Sequence, residues 1–333
     1  MGEKEIRDLF KKFDGLKALV IGDVMVDSYL WGRVDRISPE APVPVVQVTR
    51  KEARLGGAAN VAVNIAALGA KPIICALGGN DSNGDLLKQL LVDQGLSTDG
   101  ILSSDDRPTT VKTRVISNHQ HVVRVDEESL SLLTKGEEKL FIKKIFGLIE
   151  DEQPDVIVFE DYNKGVLTKK VIKSVIEKAS ELGIPTSVDP KKQNFFSYKK
   201  VDLFKPNLKE LVEGLKIEIN KEDIASIENA VEELQKKIDN KISLITLSEM
   251  GVFIKGASGS IHIPAHIRKI SDVSGAGDTV VSVASLCLAS ATSERTIAAL
   301  SNLAGGLVCE KVGVVPIDKE LLLKEAIANQ SEL

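Results

Sequence analysis

The chain has 333 residues, of which 43% are hydrophobic and 27% charged, with a net charge of −5 at neutral pH. These proportions exclude a disordered or fibrous chain and describe a globular protein with enough apolar side chains for a substantial core. The acidic balance has no basic stripe within it, which argues against nucleic acid or an anionic membrane as partner and leaves small-molecule chemistry as the expected work.

The N-terminal MGEKEIRDLFKKFDG is amphipathic and charged, without the apolar centre of a signal peptide. The longest apolar run, Val280 to Ala291, contains serines and is too short to cross a bilayer. Cys75, Cys287 and Cys309 are far apart and make no CxxC pair, so buried free thiols in a reducing, cytoplasmic setting are expected.

Short β-rich runs then alternate with helical stretches: KALVIGD, PIICALGG, DVIVFEDY, IPTSVDP, VDLFKPN and ISLITLS. The alternation predicts an α/β protein with a mostly parallel central sheet and helices on both faces. These strands end in Gly22-Asp23, Gly78-Gly79, Asp161, Asp189, Asn207 and Ser248-Glu249. In open sheets of this kind ligands bind outside the carboxyl ends of the strands, so these turns should line one crevice. PVPVVQVTR (Pro42 to Arg50) and TTVKTRVISNHQHVVRVDEE (Thr109 to Glu128) break the alternation with β-branched residues, the second reading as a hairpin around Ser117 to Gln120. They predict a small β lid, placed at about residues 35–52 and 109–127. A lid has one face without a core, so it must cover a ligand, pair with a second subunit, or both.

Near the first strand, GDVMVD supplies Asp23 and Asp27, where a carboxylate could accept two sugar hydroxyls; a turn or cap role also accounts for Asp27. ARLGGAANVAVNIAALGA runs from Gly56-Gly57 into a nearly all-apolar helix carrying Asn60, placed to reach ligand hydroxyls, and Asn64, one turn further in and expected as a core hydrogen-bonding group. PNLKEL places Asn207 and Glu210 on one helical face, a pair suited to Mg²⁺ through water and equally to an ordinary helix cap.

DVSGAGDT (Asp272 to Thr279) opens a buried helix predicted to run to about Ala291. Glycines there let a ligand approach the backbone, and the unpaired amides of a first turn favour an anion such as a transferring phosphoryl group. Asp278 beside them could accept the proton of an attacking hydroxyl; complementing the helix dipole is the competing explanation. A loose phosphoryl-transfer transition state tolerates a base this weak.

Taken in order, GGAANVA, GGNDSNG, PNLKE, DVSGAGDT and NLAGG resemble the ribokinase-like, or PfkB, family of sugar kinases over nearly the whole chain. Within the family the likeness is greatest to kinases that phosphorylate O1 of D-glycero-D-manno-heptose 7-phosphate, carried by GDVMVDSYLWG, RISPEAPVPVV, TVKTRVIS, EDYNKG and DPKK. The resemblance implies a ribokinase-like three-layer fold in one domain over 1–333, dependence on ATP and Mg²⁺, and Asp278 as base with the Gly275, Ala276 and Gly277 amides as anion hole. It implies sugar contacts from Asp23, Asp27, Gly56, Gly57, Asn60 and Asp161, and nucleotide contacts from Asn207, Glu210, Thr246, Glu249, Gly251 and Asn302. Lys112, Arg114 and Lys164 are candidates for a distal phosphate; a solvated strand edge and a loop lysine are the alternative. A homodimer through the lid is expected, and no nucleotidyltransferase domain, since none of His119, His121, His262 or His266 lies in an HxGH motif. Three departures stand near the crevice: Ser28 where relatives tend to have arginine, Glu160 before Asp161, and Leu247 before Ser248. A kinase for another sugar shares every ATP and base motif. A dinucleotide oxidoreductase would need GxGxxG spacing, which GGNDSNG lacks, and a sugar sensor would not need Asp278.

Overall fold

The computed structural model describes residues 1–117, 120–221 and 223–333. Helix α1 (Glu3–Phe13) precedes β1 (Lys17–Gly22), whose near-continuous apolar run suits a strand covered on both faces. The chain then leaves the core as β2 (Val24–Ile37) and returns as β3 (Pro44–Gly57), which leads directly into α2 (Ala58–Ala67). A regular succession follows through β4 (Lys71–Gly79), α3 (Ser82–Asp93) and β5 (Ile101–Ser104). The second excursion is β6 (Val111–Ser117) and β7 (Gln120–Glu127), after which α4 (Lys135–Glu152), β8 (Val156–Glu160), α5 (Lys169–Leu182), β9 (Thr186–Asp189) and β10 (Leu203–Phe204) continue the core. The last third comprises α6 (Leu208–Leu215), α7 (Ile224–Ile238), β11 (Ile242–Thr246), β12 (Val252–Gly256), β13 (Gly259–Ile263), α8 (Ala276–Ala289), α9 (Glu294–Cys309) and α10 (Lys319–Ala328).

Nine strands form the main sheet in the order β13-β12-β11-β10-β9-β8-β1-β4-β5, all parallel except β12, which pairs antiparallel with both β11 and β13. Two apolar cores lie on its opposite faces. One packs side chains of α1, α2, α8, α9 and α10 with Val20, Val158 and Leu244; the other packs α4, α5, α6 and α7 with Leu19, Ile157 and Ile245. This is the expected three-layer arrangement, and all three cysteines are buried free thiols. No helix is long and apolar enough to cross a membrane among the described residues.

The second sheet, β3-β2-β6-β7, is the predicted lid, but its first arm is longer than expected. β2 starts at Val24 rather than near residue 35, and β3 reaches Gly57 rather than residue 52. The reason is local burial: Val24, Met25, Val26 and Asp27 lie at the lid's base, so the strand's root lacks the alternation that marks a half-exposed strand. β6 and β7 pair antiparallel with Ser117 opposite Gln120, while the centre of the predicted hairpin, including His119, lies outside the described residues.

Parallel register aligns the strand ends that build the site. Gly22 lies beside Glu160, and Glu160 beside Asp189. Thr246 bridges to Asn207 just beyond β10.

Candidate active site

Helix α8 begins at this edge. Gly275 is its N-cap with φ of 80°, a left-handed conformation that glycine adopts without strain. A Cβ at Gly275 would stand 3.1 Å from Asn60 Nδ2, so the turn and α2 approach closely. Asp272 shapes the approach by accepting from the amides of Ser274 and Gly313. Ala276 donates to the Val273 carbonyl at 3.3 Å, whereas the amides of Gly277 and Asp278 find no backbone acceptor among the described residues. The elbow Ser274 to Gly277 is only half-buried, and burial begins at Asp278.

Asp278 itself is buried, and both its oxygens are held. Asn60 Nδ2 donates to Oδ2 at 2.6 Å and the Tyr162 hydroxyl donates to Oδ1 at 2.8 Å. Burial raises its pKa from 3.8 to about 6; the two hydrogen bonds oppose the rise, nearby Asp189 adds to it and Lys191 opposes it. The carboxyl is thus mostly ionised at neutral pH yet a stronger base than an exposed aspartate. Asn64 plays the core role expected of it: its amide donates to the Asn60 carbonyl, and its oxygen accepts from Thr279 and from the Ile317 amide.

Beside Asp278 lies an ion-pair network. Lys205, almost fully buried, contacts Asp189 at 2.9 Å, and Lys191 reaches Asp189 at 3.3 Å and Glu210 at 2.7 Å. Burial alone would raise the Asp189 pKa, but the two ammonium groups outweigh it and hold it below the usual carboxylate value. Glu160 is fully buried, with neither carboxylate oxygen hydrogen-bonded among the described residues. Burial, then Asp189 and Asp278, push its pKa well up against Lys191 and Lys205, which favours the neutral acid. Glu160, Asp189 and Asp278 converge within 4.8 Å of one another, but two lysines already answer this charge, and the group is an ion-pair network rather than a cation cage.

Other expected residues fall into three groups. Asp23 is near the crevice floor, where its carboxylate accepts from the amides of Tyr162, Lys164 and Val166; burial, and then Asp161, raise its pKa to about 6. Gly56 and Gly57 back onto this region: a Cβ would meet Asp27 Oδ2 at 2.4 Å or the Asp23 carbonyl at 2.3 Å. The expected cations reach the lid's base already paired. Arg114 bonds Asp27, Lys112 contacts Asp126 at 3.1 Å and Glu128 at 3.3 Å, and Lys164 contacts Glu128 at 2.6 Å. Asp27 is therefore a strand residue in an ion pair and neither a turn nor a cap.

Of the residues expected to contact a nucleotide, Asn207 and Glu210 form a reciprocal capping box on α6, with Glu210 also holding Lys191. The cap reading is thus realised without removing the pair from the crevice. Glu249 is exposed and pairs with Lys221 at 3.4 Å, Gly251 packs against the Ile263 carbonyl, and Asn302 donates to the Pro264 carbonyl at 2.8 Å. Asp161 is fully buried: its carboxylate accepts from the Asn163 amide, Asn194 and the Tyr198 hydroxyl.

Sequence reasoning passed over Tyr162, Lys191 and Lys205 as individuals, though EDYNKG, DPKK and VDLFKPN were all marked. A polar residue at a strand's carboxyl end was the available signal for Lys205. Nothing comparable singles out Tyr162.

Residues 16–320 match the family described as pfkB family carbohydrate kinase. The chain belongs to that family. It is 40% identical over 326 residues to the bifunctional protein HldE of Citrifermentans bemidjiense, covering 98% of this chain and 66% of that protein. The HldE of Geobacter metallireducens is 41% identical over 317 residues, covering 94% of this chain and 63% of its own. The chain therefore spans 63–66% of the length of these curated relatives. Among solved structures, phosphofructokinase-2 from Escherichia coli in complex with potassium superposes with a TM-score of 0.78 at 20% identity, covering 95% of this chain and 99% of that one. Arabidopsis thaliana ribokinase complexed with ribose and ATP gives 0.70 at 17% identity, covering 93% and 99%. These two establish the ribokinase-like fold. As a pfkB carbohydrate kinase the protein is a phosphotransferase acting on a sugar hydroxyl, and kinases of this family use ATP and generally a divalent metal.

Proposed function

We propose that this pfkB kinase transfers the γ-phosphoryl group of ATP to O1 of D-glycero-D-manno-heptose 7-phosphate, a step toward ADP-heptose. The observation that carries the catalytic part is the α8 elbow: a half-buried turn whose Gly277 amide has no backbone acceptor among the described residues, adjoining an aspartate whose oxygens are fixed by Asn60 and Tyr162. Asp278 takes the acceptor hydroxyl's proton as the P–O bond forms, while the amides of the Gly275 to Gly277 turn receive charge on the phosphoryl oxygens. Lys205 and Lys191 lie one contact away and add positive potential where a polyphosphate would lie.

The residues fit a divalent cation held through water. The Asn207 and Glu210 side-chain oxygens form an all-oxygen donor set that suits Mg²⁺, and carboxylate oxygens keep lone pairs beyond those used in the cap. When bound, Mg²⁺ would neutralise phosphate charge. Thr246, Glu249, Gly251 and Asn302 are proposed to border the nucleotide, and Asp23, Asp27, Gly56, Gly57 and Asn60 the sugar.

The heptose assignment rests on the lid-base motifs and their cations. In this reading the 7-phosphate takes over Lys112, Arg114 and Lys164 from Asp126, Glu128 and Asp27. Residues 1–333 act as one kinase domain in the cytoplasm, and the lid's outer face, with Val123 and Val125 about half exposed, pairs with a second copy. ATP consumption across a panel of sugar phosphates tests the substrate: heptose 7-phosphate should be preferred, and turnover of fructose 6-phosphate without the heptose would overturn it. Light scattering showing a monomer at micromolar concentration would remove the dimer.

A further inference from the structure

Tyr162 donates to Asp278 in the reading above, and what that bond contributes to the transfer step follows from how the tyrosine is held. Its backbone is held in place. The Asp23 carboxylate takes the amides of Tyr162, Lys164 and Val166, and a Cβ at Gly165 would stand 2.0 Å from the Ser131 carbonyl, so the loop has no slack. The Lys191 ammonium lies 5.2 Å from the ring centroid, a cation–π contact that fixes the ring plane. The hydroxyl is thereby aimed at Asp278 Oδ1, opposite the Asn60 amide on Oδ2. Burial, and after it the Asp278 charge, push the phenol pKa well above 10, so the group is a donor throughout the working pH range.

We infer that Tyr162 is a positioning residue for phosphoryl transfer: its hydroxyl and the Asn60 amide clamp Asp278 from two sides, fixing which lone pair faces the acceptor alcohol and keeping the carboxyl ionised. Each carboxylate oxygen can accept two hydrogen bonds, so the acceptor hydroxyl binds without displacing the tyrosine. The inference rests on Asp278 being the base. The other groups facing Asp278 are Glu160 at the end of β8, Asp189 and Lys191 at and beyond the end of β9, and Lys205 beyond β10; none of them donates a hydrogen bond to it.

The test is Tyr162→Phe, which keeps the ring and its contact with Lys191 and removes only the donor. A hydrogen bond to a charged group of this kind corresponds to a kcat loss of roughly ten- to a hundredfold, with KM for ATP unchanged. Because the phenol favours the ionised carboxyl, its removal raises the Asp278 pKa, and the acid limb of the kcat profile moves to higher pH. A merely structural tyrosine would lower thermal stability and leave the limb in place. Tyr198→Phe is the matched control: it deletes another buried phenol-to-carboxylate bond, to Asp161 at 2.7 Å, and should leave kcat and the limb unchanged. Should Tyr162→Phe fold poorly, 3-fluorotyrosine at position 162, a more acidic phenol and stronger donor, should move the limb to lower pH. An unmoved limb in both variants overturns the inference, as does a higher kcat with a lower sugar KM, which would make the hydroxyl an obstacle in the acceptor's place. Asp278→Asn in the same assays separates the two readings. If it retains turnover, the base assignment fails; if it is inactive while Tyr162→Phe behaves as wild type, only the role of Tyr162 fails.

Discussion

Asp278→Asn should make the protein a far poorer enzyme and a more stable one. Holding a carboxyl at a pKa of about 6 instead of 3.8 costs roughly 3 kcal/mol once the group is ionised, at about 1.4 kcal/mol per pH unit. The folded form binds the proton more tightly than the unfolded one, so the contribution of Asp278 to stability is retained below pH 4 and lost as pH rises through 6. Asparagine removes that charge. It also turns one of its own N–H groups toward a donor that the carboxylate had satisfied, either Asn60 or Tyr162, which returns about 1 kcal/mol. A net gain of about 1–2 kcal/mol remains at pH 7.5, or roughly 1.5–3 °C in Tm for a chain of this size. Differential scanning calorimetry at pH 7.5 and pH 4.5 should show the gain at the first and little at the second. In parallel, turnover should fall by about 10²–10⁴ with ATP affinity nearly intact. A Tm that falls at pH 7.5, or a difference independent of pH, would refute the reasoning.

The two glycines of the elbow should fail differently. Gly275→Ala forces alanine to φ of 80° and brings its Cβ to 3.1 Å from Asn60, so it should lose about 1–2 kcal/mol of stability in denaturant titrations as well as activity. Gly277→Ala makes only an ordinary contact, 3.6 Å from Asp189, and should keep its Tm while kcat drops because a methyl now lines the cradle; equal Tm losses would contradict this. Glu160→Gln replaces a carboxyl kept neutral by burial with a neutral isostere. Its Tm should match or exceed wild type at pH 7.5, with the gap widening as pH rises, whereas a marked loss would mean that the charged form is bound. Asn64→Leu removes the side-chain donor to the Asn60 carbonyl and strands the Ile317 amide, while the Thr279 hydroxyl keeps only the Gly275 carbonyl, and it should cost about 2–4 kcal/mol in urea unfolding.

The parallel core was readable because its strands are short apolar runs ending in polar turns, and the buried α8 was readable from its unbroken apolar sequence. β12 and β13 were not anticipated: they are five-residue strands at one end of the sheet, joined by the short Ala257-Ser258 turn, and neither shows a strong period. Asn64 is the buried hydrogen-bonding group expected one turn into α2, and Asp278 lies in the first turn of α8, as its place in the sequence implied. Glu160 and Asp161 show the limit of that reasoning. Glu160 ends β8 and Asp161 is the next residue, yet one carboxyl meets Asp189 and Asp278 and the other meets Tyr198, partners from distant segments that the local sequence does not encode. The cations Lys112 and Arg114 were recognisable as such, but their carboxylate partners lie on β7, just after it and on β2, contacts that local pattern does not encode.

The most direct test of the phosphoryl-transfer geometry is a crystal structure with a non-hydrolysable ATP analogue and heptose 7-phosphate. The terminal phosphate should accept hydrogen bonds from the amides of the Gly275 to Gly277 turn, with O1 of the sugar bonded to Asp278 between Asn60 and Tyr162. An analogue whose terminal phosphate lies away from the α8 elbow, or a sugar whose nearest hydroxyl does not reach Asp278, would contradict it.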